Sequence, residues 1–158
     1  YLGKTSGKIA DLFCGVGTFS YPLAQKPGNR VLAVDASKEL LEGFKNSVNR
    51  QMIANIEIVC RNLFKYPLEG AELEGLAAVV FDPPRAGAKE QAARLAALPA
   101  GKRPRKLIAV SCNPETFARD AEILQNGGYR LCEVTPVDQF VYTSHCELVA
   151  LFVDEGLL

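Results

Sequence analysis

Two residues able to do chemistry stand at the borders of apolar runs. In "LIAVSCNPETFARD", residues 107 to 120, Cys112 closes a strand-like run and is followed at once by Asn113, Pro114 and a helical pattern. Side chains at the C-terminal end of a strand in an α/β protein project from a rigid scaffold into a cleft. A thiol so placed can act as a nucleophile; the alternative is a small buried hydrophobe, the usual state of a free cysteine. Glu147 opens the last apolar run, "ELVALFVD". A carboxylate entering such a run is costly unless it is paired or used, so Glu147 is either a working group or a solvent-facing edge residue. His145, the single histidine, sits two residues earlier, where it could orient the loop or Glu147, or serve structure alone.

The other four cysteines carry weaker signals. Cys14 lies in a glycine-containing turn and reads as packed. Cys60 ends an apolar strand and Cys132 lies inside one, so both read as core; Cys146 should point to the opposite face from its neighbour Glu147. Five cysteines without a CxxC pair indicate neither a disulfide framework nor a zinc site, and fit cytoplasmic thiols better. Eighteen basic and eighteen acidic residues leave no formal net charge, which argues against nonspecific polyanion binding by the whole surface. One local basic run, "AGKRPRK" at 100 to 106, reads as a solvated loop in preference to a phosphate contact. The longest apolar runs are of strand length, so no membrane span or anchor is expected. The chain opens on Tyr1 without a basic, apolar leader, and we read residues 1–158 as one domain cut from a longer protein.

The elements that must position these groups alternate along the chain. "KIADLFC" (8 to 14), "RVLAVDA" (30 to 36), "IEIVC", "LAAVVFD" (76 to 82) and "KLIAVSC" read as strands. Between them, "TFSYPLAQK" reads as a short helix. "SKELLEGFKNSVNRQM" reads as a longer one, with a Ser37 cap and Leu40, Leu41, Phe44 and Val48 on its apolar face. Helices are also expected near "KEQAARLAAL" and at "PETFARDAEILQNGG", the latter stopped by Gly127 and Gly128. Two strands, near "YRLCEVTPVD" and "CELVALFVD", follow without a helix between them. This order predicts an α/β fold: a doubly wound, mostly parallel sheet ending in an antiparallel hairpin at one edge.

A ligand cleft is expected where the first strand meets the first helix. "DLFCGVGTFS" puts Gly15 and Gly17 in that turn, where glycine lets the backbone approach a ligand. Asp35, ending the second strand, can accept both ribose hydroxyls of a nucleoside cofactor. The plain alternative is a tight turn with a helix-capping acid. The full G-x-G-x-x-G is absent, Ser20 standing at its last position, which turns the reading away from a dinucleotide. "FDPPRAG" ends the fourth strand at Asp82, and its prolines fix the backbone as it crosses the cleft.

Taken together, "DLFCGVGTFS", "DPPRAG", "SCNPETFARD" and "TSHCELVALF" resemble, in order and over essentially the whole chain, the motifs of S-adenosylmethionine-dependent RNA 5-methyluridine methyltransferases. The resemblance implies a class I methyltransferase Rossmann-like domain that takes S-adenosyl-L-methionine as cofactor and tRNA or rRNA as substrate, with no metal. It implies that Phe13 and Thr18 line the methionine and adenosine cleft, Asp35 holds the ribose in place of the family's usual Glu, and Asn62, in "CRNLF", faces the adenine. Asp82 would contact cofactor or uracil, and Arg85 a phosphate or the base edge. Full-length members carry an N-terminal RNA-binding domain and an upstream glutamine, neither of which lies in these 158 residues. In such an enzyme Cys112 would add to uracil C6 to make C5 nucleophilic, and Glu147 would remove the C5 proton. Asp-Pro-Pro also occurs in amino-directed methyltransferases, which use no covalent intermediate, but there an aromatic residue follows and here Arg85 does. A 5-methylcytosine enzyme would carry Pro-Cys in the fourth-strand motif, so uracil is favoured. A cofactor-binding module without catalysis is the remaining alternative.

Overall fold

The β-branched runs and capped helices fold in the predicted order. The computed structural model describes residues 1–138 and 146–157. Strands β1 (Lys8–Leu12), β2 (Arg30–Asp35), β3 (Ile56–Cys60), β4 (Leu76–Phe81), β5 (Lys106–Ser111), β6 (Tyr129–Val137) and β7 (Glu147–Asp154) form one sheet in the order β3-β2-β1-β4-β5-β7-β6. The first five run parallel; β7 pairs antiparallel with β5 on one side and with β6 on the other. The sheet is therefore the expected mostly parallel one with an antiparallel hairpin at its edge. The returning strand β7, not β6, lies against β5.

The helices start where their caps place them. In α2 (Lys38–Arg50) the Ser37 hydroxyl accepts the Leu40 N–H at 3.3 Å. In α4 (Pro114–Asn126) the Asn113 side chain accepts the Glu115 N–H at 3.0 Å, with Pro114 filling the first turn. Gly128, at φ +90°, turns the chain out of α4 into β6. Helix α1 (Ser20–Ala24) is a little over one turn, and α3 (Lys89–Ala96) packs beside α4.

Alternation along the buried strands splits the core between the two faces of the sheet. Leu12, Phe81, Leu107 and Phe152 point to the face covered by α3 and α4, where they meet Leu95 and Leu124. Ile9, Val31, Val80 and Ile108 point to the other, against Leu23 of α1. Leu41, Phe44 and Val48 of α2 close on Ala33.

Three expectations need correction. Leu40 is exposed, because the buried stripe runs through Leu41, Phe44 and Val48 and Leu40 lies about 100° around the helix from Leu41. Cys60 and Cys132 are exposed, not core, because β3 and β6 are the two edge strands, which lack a neighbour on one side. The basic run at 100 to 106 is not simply solvated. Arg103 pairs with the buried Asp154 at 3.3 Å and lies over the Tyr129 ring, Lys102 pairs with Glu74 at 3.1 Å, and Lys106 opens β5 with its ammonium on the Tyr1 carbonyl at 3.1 Å. No helix among the described residues is long and apolar enough to cross a membrane.

Candidate active site

Parallel β1, β2, β4 and β5 all end at one rim of the sheet, which brings the loops after them together. Phe13 follows β1, Asp35 ends β2, Asp82 follows β4 and Cys112 follows β5. A cleft of about 630 Å³ opens at this rim; Phe13, Asp35, Arg61, Phe64, Asp82 and Pro83 are among its walls.

Phe13 holds a left-handed backbone, φ +60°, a conformation that costs a bulky residue about 1–2 kcal/mol and that recurs at ligand sites. Its ring packs on Phe64, with centroids 5.4 Å apart and tilted by 53°. The turn behind it is tied to the second strand: Asp35 Oδ2 accepts the Gly15 N–H at 2.9 Å and Oδ1 accepts the Ser37 N–H at 2.8 Å. An ionised carboxylate has about four acceptor positions, so these two bonds leave capacity on each oxygen. Gly15 sits at φ +54° and Gly17 at φ +88°. Gly15 has open space where a Cβ would stand, so it serves backbone conformation, whereas Gly17 abuts the Phe44 ring. Thr18 is exposed in the same turn and is not a wall of the cleft.

Asn62 also stands outside the wall, while its neighbours Arg61, Leu63 and Phe64 form it. The Asn62 Oδ1 accepts the Phe64 N–H at 3.0 Å and so shapes the turn that presents the Phe64 ring. Arg61 braces that loop by donating to the Tyr66 carbonyl at 2.6 Å, the Pro67 carbonyl at 2.7 Å and Glu72 Oε1 at 2.5 Å; the same guanidinium holds the Glu72 carboxyl below its usual range.

The rim is rich in carboxylates. Asp11, inside β1, is fully buried; its Oδ2 accepts the Ser20 hydroxyl at 2.5 Å and its Oδ1 has no partner. Burial, with smaller contributions from the Asp82 and Asp35 charges, pushes its carboxyl up to about 7. Burial and the Glu147 charge likewise raise Asp82. Asp11 thus feels the charges of Asp82 and Asp35, and Asp82 that of Glu147; Asp35 and Asp82, both in the cleft wall, favour a cationic guest. Asp11, Arg61 and Phe64 were not candidates from sequence. Asp11 was detectable there, since an acid inside "KIADLF" is the same anomaly that singled out Glu147.

Strand pairing brings Cys112 and Glu147 to the same end of the sheet. The β5–β7 ladder runs from Lys106 opposite Val153 to Ser111 opposite Leu148, so Cys112, the residue after β5, and Glu147, the first of β7, both flank its last pair. Both side chains are half-buried. Ser111 Oγ accepts the Asn113 N–H at 3.2 Å and donates to the Asn113 carbonyl at 3.1 Å, pinning the turn on which Cys112 stands. Cys14 is buried, and burial next to Asp11 and Asp35 pushes its thiol far above the ordinary range, so it is inert as a nucleophile. Arg85 is exposed, its carbonyl accepting from Asn113 and Thr116. His145 lies outside the described residues. Among the described residues no group of three or more His, Cys, Asp or Glu is arranged to hold a metal ion.

The architecture is that of the methyltransferase sheet. A S-adenosylmethionine-dependent methyltransferase from Aquifex aeolicus superposes with a TM-score of 0.67 at 18% identity, over 94% of this chain and 84% of that one. The tRNA (uracil-5-)-methyltransferase family model matches residues 2–154, and the chain belongs to that family. An uncharacterized RNA methyltransferase of Brucella suis is 47% identical over 152 residues, 96% of this chain and 35% of the relative. The 23S rRNA (uracil(1939)-C(5))-methyltransferase RlmD of Pseudomonas entomophila is 40% identical over 92% of this chain and 31% of its own length. The Pyrococcus abyssi tRNA (uracil-54, C5)-methyltransferase, solved with S-adenosyl-L-homocysteine, superposes with a TM-score of 0.77 at 34% identity, covering 94% of this chain and 34% of that one. The chain thus spans about a third of the length of the Brucella, Pseudomonas and Pyrococcus relatives.

Proposed function

We propose that this chain is the catalytic domain of a longer RNA methyltransferase that methylates C5 of a uridine in tRNA or rRNA, with Cys112 as nucleophile and Glu147 as base. The observation that carries the reading is that Cys112 and Glu147 flank the last pair of the β5–β7 ladder, with the Glu147 charge acting on Asp82 in the wall of the cleft.

The cleft suits S-adenosyl-L-methionine. Its acids complement a sulfonium and an ammonium, Asp35 keeps acceptor capacity for ribose hydroxyls, and Phe13 and Phe64 offer aromatic surface to a purine. When bound, that cofactor supplies a methyl group activated by positive sulfur. Thr18 and Asn62, set back from the cleft wall in this structure, are expected at its margin, with Gly15 and Gly17 shaping the turn.

Uracil C5 is a poor nucleophile because its double bond is conjugated to a carbonyl. The Cys112 thiolate forms a bond to C6, and the displaced π electrons become an enolate that makes C5 electron-rich. Once C5 carries both methyl and hydrogen, Glu147 takes the proton; the C5–H electrons restore the double bond and the C6–S bond breaks, returning the thiolate. Asp82 orients the base or the cofactor, and Arg85 meets the RNA. RNA binding draws on a further domain upstream, in keeping with the greater length of the relatives. Five reduced cysteines suit the cytoplasm.

The test is incubation of the full-length protein with S-adenosylmethionine and structured RNA containing 5-fluorouridine, where fluorine at C5 prevents the final proton removal. A methylated RNA adduct mapped to Cys112 is the expected result. Turnover of ordinary RNA by a Cys112→Ser variant would overturn the assignment.

A further inference from the structure

The helix after Cys112 carries three polar residues that the proposed chemistry does not use. Asp120, 4% exposed, accepts the Ala88 N–H on Oδ2 at 2.6 Å. Its Oδ1 accepts from Arg119 Nε at 2.9 Å and Nη2 at 2.7 Å, and Arg119 Nη2 also donates to the Ala86 carbonyl at 3.0 Å. Thr116 Oγ1 donates to the Arg85 carbonyl at 3.1 Å. The turn 85–88 after Asp82-Pro83-Pro84 is thus held at Arg85, Ala86 and Ala88 by one face of α4. Gly87, at φ +76°, lets it come that close: a Cβ there would stand 2.6 Å from Arg119 Nη2 and 2.7 Å from Asp120 Oδ2.

The ladder between β4 and β5 ends at Phe81 opposite Ala109, so it does not reach Asp82 or Cys112. Pro83 and Pro84 have no N–H with which to extend it. We propose that Thr116 and the Arg119–Asp120 pair are positioning residues that lock the Arg85–Ala88 turn onto α4, so that Asp82 and Cys112 move as one rigid unit and uracil is held where the thiolate can reach C6. The proposal rests on the uracil-methylation reading. Misplacing reacting groups by about 1 Å can cost about 100-fold in rate, so a clamp of this kind is felt in kcat before it is felt in folding.

The experiment uses the full-length protein, S-adenosylmethionine at saturation and 5-fluorouridine RNA, comparing Thr116→Val, Thr116→Ser and Asp120→Asn with the unmodified sequence. Three quantities are read: the rate of adduct formation, the cofactor Kd and the melting temperature. Thr116→Val keeps shape and removes only the hydroxyl; it is expected to slow adduct formation about tenfold with cofactor Kd unchanged within about twofold. Thr116→Ser, which restores the donor, should recover the rate. Asp120→Asn should slow it further, since the amide sets an N–H against Ala88 or Arg119. Adduct formation at the unmodified rate in folded Thr116→Val overturns the clamp while leaving the chemistry intact, and Thr116 alone decides should Asp120→Asn fail to fold. Absence of both adduct and methylation in the unmodified protein overturns the uracil reading and the clamp together.

Discussion

Gly17 lies directly under the ring of Phe44, so that a Cβ on Gly17 would overlap the edge of that ring. The second glycine of the cofactor-type turn is therefore required by packing between the turn and α2 before any ligand arrives. Gly17→Ala is expected to cost about 2–4 kcal/mol in urea unfolding, from overpacking together with φ +88°. Gly15→Ala meets open space and should cost only the left-handed backbone term, about 1–2 kcal/mol. Equal costs for the two would show that the Phe44 contact is not what demands glycine.

Asp35 joins the two loops of the cleft through Gly15 and Ser37. Asp35→Ala should weaken S-adenosylmethionine binding, measured by calorimetry, by about 1.5–3 kcal/mol, the range for hydrogen bonds to a charged acceptor. Part of this loss should also appear as lower stability without cofactor. Unchanged affinity would remove Asp35 from the cofactor site.

The buried Asp11 makes a signed prediction for pH. Its carboxyl is raised from 3.8 to about 7, so between those values the folded protein holds a proton that the unfolded chain has released. Folded-state stability from this group is present below about pH 4 and is lost as pH rises through 7. The groups facing it are Ser20, Asp35 and Asp82. Asp11→Asn should flatten the fall in stability between pH 4 and 7, by up to about 4 kcal/mol at roughly 1.4 kcal/mol per unit. Parallel pH profiles for the two proteins would mean that Asp11 ionises normally.

Arg103 is the partner of Asp154, which is 3% exposed next to the buried Tyr129. Removing one member of a buried pair strands the other, so Arg103→Ala should destabilise the fold by about 3–5 kcal/mol by chemical denaturation. Arg103→Ala with Asp154→Asn should recover part of the loss. A cost below about 1 kcal/mol for Arg103→Ala would place the pair in the class of weak surface bridges.

Cys112→Ser and Glu147→Gln separate the two proposed chemical roles. The serine variant should lose methyl transfer and adduct together, because a hydroxyl at neutral pH is a far weaker nucleophile than a thiolate. The glutamine variant should still add and methylate but release slowly, leaving a methylated covalent complex as a shifted band on a denaturing gel. A Glu147→Gln enzyme with unimpaired turnover and no adduct would assign Glu147 to structure.

Local patterning by itself determined the elements and their order. Seven apolar runs became seven strands, Ser37 and Asn113 became caps because each side chain satisfies an N–H of the first turn, and the helix-free ending became the antiparallel hairpin. The motifs carrying Asp35, Asp82 and Cys112 fell on strand ends for the same local reason. What tertiary structure alone decided was pairing and depth. The placement of β7 between β5 and β6 comes from burial of the whole sheet, not from either run, and it alone brings Glu147 to the end of the sheet where Cys112 stands. Cys60 and Cys132 look like core residues in one dimension, but their strands are edges. Asp120, in a polar stretch of helix, is buried because a turn some thirty residues earlier needs its oxygen. Sequence periodicity reports which face of an element is apolar; which neighbour covers it depends on contacts between distant segments, and these form only when the chain closes on itself.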